Sequence, residues 1–400
     1  MVKRYRQFLA TYFLVLFLFS IPILMNLVFI HHAFENMLFR DLVRIQQQKN
    51  AIYGTALNQN TFSYKLELVR YMKPEVLALG SSRVVELREE FFNVPFVNCG
   101  AAMNHLNEGR MFLEKMLLFH KPRLILLGLD YWWFSGQNTM RERYDYHQND
   151  GATLTFEKLV KPFLFLGQSK LSLRSYFRVL FFNDRTNQIT NYENMGLRAI
   201  RTSDGFRKDG SSLYASTVFG LTSPRARQID LSAPGDGGRT ALQRHKGWGD
   251  LSRSRLEELN KIIKLCKSER IRLILFLPPV SQPAYRRLIS ESDQHQFLKD
   301  LEKHITALPE ETYNFHDIRQ IDSNDCECID AVHIGDVAYQ RLLLAIAKKN
   351  PLSHLKGYLA IDLMEEAVQK FSGKTLTLFD NDKEKFNLPE IDFLHIGCKK

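Results

Sequence analysis

The chain has 400 residues, 45% of them hydrophobic and 12% aromatic, with 54 Lys and Arg against 44 Asp and Glu. That composition excludes a disordered or low-complexity protein and allows one large domain or two ordinary ones. The net charge of +10 does not read as a nucleic-acid binder, because no motif of that class accompanies it.

Residues 8–30, FLATYFLVLFLFSIPILMNLVFI, carry no charge over 23 positions. At 1.5 Å per residue they cover roughly 35 Å, enough to cross a bilayer core of about 30 Å, and Pro22 costs only a local kink. A cleaved signal peptide has a shorter apolar core and a small-residue cleavage site, which the following HHAFENM does not offer. The expectation is a single transmembrane signal anchor. Lys3, Arg4 and Arg6 place residues 1–7 in the cytoplasm and everything after 30 outside it. This tail holds three of the ten net positive charges, and the +7 that remains suits an acidic glycan, a phospholipid surface or an anionic polymer.

Residues 31–73 read as a membrane-proximal stalk without chemistry. From 74 the pattern becomes α/β. Expected strands are 76–79 (VLAL), 95–99 (PFVNC), 124–129 (LILLGL), 272–277 (RLILFL) and 312–318 (TYNFHDI), with helices at 104–120, 294–307 and from Asp336. Nearly continuous apolar strands alternating with helices predict a parallel sheet covered on both faces, a flavodoxin-like three-layer α/β fold. The rhythm is suspended over 135–249, a basic insertion whose stretch 171–246 has 12 Lys and Arg against 6 Asp and Glu. It reads as a lid or substrate surface, or as a solvated or partner-docking face. The α/β domain is therefore expected over 74–134 and 250–350, followed by a C-terminal extension, 351–400, with a helix at 359–371.

Among five cysteines, Cys99 and Cys266 lie in apolar patterns and read as buried thiols. Cys326 and Cys328 are too close to bond easily with each other, and either could bridge to Cys398 if the termini of the domain meet. The C-x-C pair has no second ligand pair near it, so no metal site is expected, and nothing in the chain calls for a cofactor.

Three candidate sites lie at strand carboxyl ends: Gly80-Ser81-Ser82, Asn98-Cys99-Gly100 and Gly128-Leu129-Asp130. A fourth, Asp330-Ala331-Val332-His333, follows the last strand. Carboxyl ends of parallel strands share one sheet edge, so these residues can meet. Serine, histidine and aspartate are the parts of an acyl-transfer site, with glycine N–H groups able to approach a developing oxyanion. A second D-x-x-H, Asp392 to His395, has only five residues after it, and the first copy is preferred.

The ordered set resembles the SGNH (GDSL-type) hydrolase superfamily, in its branch of membrane-anchored envelope proteins whose first block reads G-S-S-R. The resemblance implies an SGNH-type sheet, with Ser82 as nucleophile, Asp330 and His333 as its partners, and the N–H groups of Ser82 and Gly100 as oxyanion donors. The third block of that family supplies an asparagine where this chain has Asp130. An ionised Asp130 cannot donate, so it is protonated, has another role, or leaves the hole to backbone donors. Similar envelope members include alginate O-acetylation proteins and the D-alanyl transfer protein of lipoteichoic acid. They imply a bacterial inner membrane location and a membrane-bound O-acyltransferase as partner. The expected function is thus an envelope O-acyltransferase or esterase acting on a polysaccharide or related polymer. The alternative is a non-catalytic glycan-binding or scaffold protein of such a system. Arg83 could bind a carboxylate or phosphate of the substrate or simply pair with Glu86 or Glu90, and Trp132 and Trp133 could stack on a sugar, although core packing would equally account for the aromatic pair.

Overall fold

A computed structural model describes residues 2–58, 60–136, 150–187, 189–218, 250–290 and 292–383. Five parallel strands form its central sheet: β1 (Val76–Gly80), β2 (Phe96–Gly100), β3 (Leu124–Gly128), β4 (Arg272–Leu277) and β5 (Glu311–Asn314), in the order β2-β1-β3-β4-β5. Every residue of β1, β2 and β3 is buried, as strands covered on both faces require. On one face Leu77, Leu79, Val97, Ile125, Leu127 and Leu275 pack in a large cluster with residues of the helices Thr61–Met72, Leu106–Leu117 and Arg253–Ser268. On the other, Val76, Ala78, Leu126, Ile274 and Phe276 pack with Leu342 and Ile346 of the helix Asp336–Lys349. The period-2 alternation of the strands thus feeds two cores, giving three layers.

The order reverses between β1 and β3, because the chain leaves β1 for one neighbour and returns to the other. Such a switch point opens a crevice at the strand carboxyl ends. Gly80 pairs with Gly100 and Gly128 with Phe276 at that edge.

Three sequence expectations change. Residues 31–73 are not a stalk standing apart. Phe39, Leu42 and Val43 of the helix Phe39–Lys49 are buried in the first core, and buried Lys65 donates through Nζ to the carbonyls of Asn98 and Gly210. The insertion joins this segment: Asn194–Met195, Ile52–Tyr53, Gly205–Phe206 and Ser212–Leu213 form a small four-stranded sheet in that order. The fifth strand stops at Asn314, whose side chain accepts from His316 N–H, while Asp317 accepts from Arg319 N–H and turns the chain. Cys326 is disulfide-bonded, whereas Cys99, Cys266 and Cys328 are buried free thiols; Cys398 lies outside the described residues.

The first helix, Val2–His32, contains the apolar run Arg4–His32, long and apolar enough to cross a membrane. Its foot is tied down. Buried Glu35 accepts from the N–H groups of Ala56, Leu57 and Leu197 and from the Thr55 hydroxyl.

A Cβ on Gly128 would collide with Val84 Cγ1 in the turn after β1. Gly128→Ala is expected to lower unfolding stability by about 1–3 kcal/mol through overpacking, measured by denaturant titration of the detergent-solubilised chain. A change below a few tenths would show that the turn has slack.

Candidate active site

The turn after β1 separates the two serines by role. Ser81 is the N-cap of the short 3-10 turn Ser82–Val84, and its Oγ accepts from Arg83 N–H at 3.1 Å, the ordinary use of serine at a helical start. Ser82, one residue on, is half-buried and free to point outward. Its Oγ lies 2.9 Å from His333 Nε2. His333 Nδ1 lies 2.7 Å from Asp330 Oδ2. The other carboxylate oxygen of Asp330 accepts from the N–H groups of Val332 and His333, both at 2.8 Å, while His333 O accepts from Ile329 and Asp330 N–H. The D-x-x-H spacing therefore closes a tight loop in which the carboxylate fixes both backbone and ring.

Burial alone would push the His333 imidazole down; the charge and hydrogen bond of Asp330 outweigh it and hold the ring above its ordinary value. Burial likewise raises Asp330, yet the imidazole and the two N–H donors leave it below the usual carboxylate range. The carboxylate is thus ionised and the imidazole is a stronger base than in water.

Arg83 does not face substrate. It is 2% exposed, and its guanidinium donates to Val332 O (3.1 Å), Pro278 O (2.6 Å), Pro279 O (3.0 Å) and Asp130 Oδ1 (3.3 Å). Asp130 is equally buried, and burial raises its carboxyl against the pull of Arg83. Its Oδ1 is taken up by Arg83 in the core. Trp132 and Trp133 are buried too, and Trp132 lies under the guanidinium, 5.3 Å from ring centroid to Cζ; core and cation–π packing replace the expected sugar stacking. Gly100 N–H donates to Asn98 Oδ1 at 2.7 Å, which withdraws it from the oxyanion position.

In front of Ser82 lies a cavity of about 380 Å³. Its walls come from the loop after β2 (Ala101, Ala102, Asn104), from the segment expected as a stalk (Thr55, Phe62) and from the insertion (Arg198, Tyr214). Tyr214 also stands beside His333, with ring centroids 6.1 Å apart. Sequence reading missed Asn104, Arg198 and Tyr214 as lining residues. Asn104 was absorbed into a helix that begins only at Leu106, and Arg198 and Tyr214 lie in a region without periodicity. Among the described residues no group of three or more His, Cys, Asp or Glu could hold a metal ion. The second D-x-x-H, Asp392 to His395, lies outside them.

Removing Arg83 strands Asp130 in the core. Arg83→Met is expected to cost about 3–5 kcal/mol of stability, and Arg83→Met with Asp130→Leu to recover part of it, since the loss comes mainly from an uncompensated buried charge. Denaturant unfolding of both variants checks this; an Arg83→Met variant as stable as wild type would contradict it. No family model and no curated protein matches the chain, so the functional reading rests on this arrangement of side chains.

Proposed function

We propose that the chain is an acyl-transfer enzyme of the SGNH type, an O-acyltransferase or esterase acting on a polysaccharide or related polymer at the outer face of a membrane. The observation that carries this reading is the hydrogen-bonded series Ser82 Oγ–His333 Nε2–Asp330, at 2.9 and 2.7 Å, opening on a cavity large enough for a sugar unit. Ser82 Oγ attacks the acyl carbonyl while His333 Nε2 takes its proton. The tetrahedral oxyanion is met by Ser82 N–H, which has no acceptor among the described residues. His333 then gives the proton to the departing alkoxide, leaving an acyl-serine. A polymer hydroxyl or water, deprotonated by His333, resolves it. Asn104, lining the same cavity, is the candidate for a side-chain oxyanion donor in place of the asparagine that Asp130 replaces.

A fluorophosphonate probe on the purified chain should label wild type and leave Ser82→Ala unlabelled; equal labelling would refute the nucleophile. Asn104→Ala should lower kcat on an activated ester by about 10²–10³-fold with KM little changed, and an unaltered kcat would remove Asn104 from the mechanism.

The pH dependence follows from the raised imidazole. The base must be neutral, so kcat/KM should rise with pH through a value above the ordinary histidine value near 6.5. Asp330→Asn should move that inflection to lower pH while reducing the plateau. An inflection unmoved by the substitution would mean that Asp330 does not set the basicity.

A specific observation favours a second reading, a non-catalytic scaffold or glycan-binding protein of an acyltransferase system. With Gly100 N–H and Asp130 both committed elsewhere, the oxyanion hole is thinner than acyl transfer normally uses. On that reading wild type itself resists the probe.

A further inference from the structure

The helices Phe156–Gly167 and Leu173–Phe182 are apolar on two sides. Their inner stripe packs on the last turns of the first helix: Phe29 stacks on Tyr176 with ring centroids 4.5 Å apart, and Ile30, Val179 and Leu180 join the same cluster. Asn26, a polar residue inside the uncharged run, is satisfied by them, donating to Leu159 O at 2.5 Å and accepting from the Tyr176 hydroxyl at 2.8 Å. Their outer stripe faces solvent. Phe156 is 81% exposed, Phe181 65% and Phe182 78%, with Leu164, Leu173 and Phe177 also uncovered. Leu173, Phe177 and Phe181 follow at i, i+4 and i+8, and the last two rings stack at 5.8 Å, so the stripe is continuous.

We infer that this helical pair is an interfacial foot, embedded in the leaflet on the C-terminal side of the first helix, with the phospholipid acyl–headgroup boundary as its occupant. The inference rests on the reading of the first helix as a membrane span. That span fixes the depth. Asn26 sits four residues before Ile30, about 6 Å inside the end of the apolar run at 1.5 Å per residue, and an interfacial helix buries its apolar face about 5–10 Å deep. The outer stripe is thus continuous with the lipid-facing surface of the span. Charge agrees: residues 156–182 carry five Lys and Arg and one acid, and Glu157 is engaged by Lys161 at 3.1 Å. Lys170 and Arg174 are exposed beside the aromatic rings, where their stems can lie along acyl chains and their charges reach anionic headgroups.

The test uses the full chain in nanodiscs of phosphatidylcholine and phosphatidylglycerol. Single cysteines replace Phe17, mid-span and 61% exposed, Phe156, Phe181 and Leu352, 88% exposed at the amino edge of the sheet. Each carries a bimane label, with unsubstituted chain as the blank. Nitroxide lipids should remove roughly half of the emission at Phe156→Cys and Phe181→Cys, as expected for an interfacial helix, while iodide quenches only Leu352→Cys strongly. Lipid quenching at Phe17→Cys without any at positions 156 and 181 would overturn the foot and leave the span intact. Absence of lipid quenching at all three would overturn both. Shielding of positions 156 and 181 from iodide without lipid quenching would show that a protein surface covers the stripe, and would also overturn the proposal.

Discussion

The buried guanidinium of Arg83 is the constraint on which the site depends. A cation removed from water costs several kcal/mol unless its donors are all met. Here the acceptors come from segments far apart in sequence: two proline carbonyls after β4, the carbonyl of Val332 in the histidine loop, and Asp130 after β3. The backbone of Arg83 is held as well, its carbonyl accepting from the Tyr339 hydroxyl. Because Arg83 adjoins Ser82 and Val332 adjoins His333, satisfying one charge sets the separation of Ser82 and His333. Arg83, the residue after Ser82, thus holds the Ser82–His333 pair in place from within the core.

Much of the scaffold was legible because it is local. Apolar runs ending in glycine identify β1 and β3, and the spacing of Asp330 and His333 encodes a loop that one carboxylate can close. What sequence concealed is long-range pairing. Arg83 and Asp130 read as candidate site residues at the sheet edge until the fold buries them together. Trp132 and Trp133 carry the same composition whether they stack on a sugar or fill a core. The glycine of the second block is correctly placed at the sheet edge, but the Asn98 side chain two residues earlier takes its N–H, and no periodicity reports a hydrogen bond of that kind.

The cavity has a divided origin. Its floor belongs to the sheet edge, common to any fold of this topology, while most of its walls come from residues 53–55, 60–62 and 198–214. These come from segments whose sequences read as stalk and irregular insertion. On the proposed function, chemistry and selectivity reside in different parts of the chain, and changes in the insertion can retune what enters without moving Ser82 or His333.

The knot of hydrogen bonds around Glu35 joins the end of the first helix to the loop at Thr55 and to the insertion at Leu197. Thr55, itself an anchor point, and Arg198, next to Leu197, are also cavity walls. No flexible tether separates anchor from pocket. Where that helix crosses a bilayer, the mouth of the cavity is held at one height and one tilt. For the proposed acyl transfer, encounters are then counted per unit area of membrane, and dilution of the surrounding fluid leaves the turnover of a surface-bound substrate unchanged.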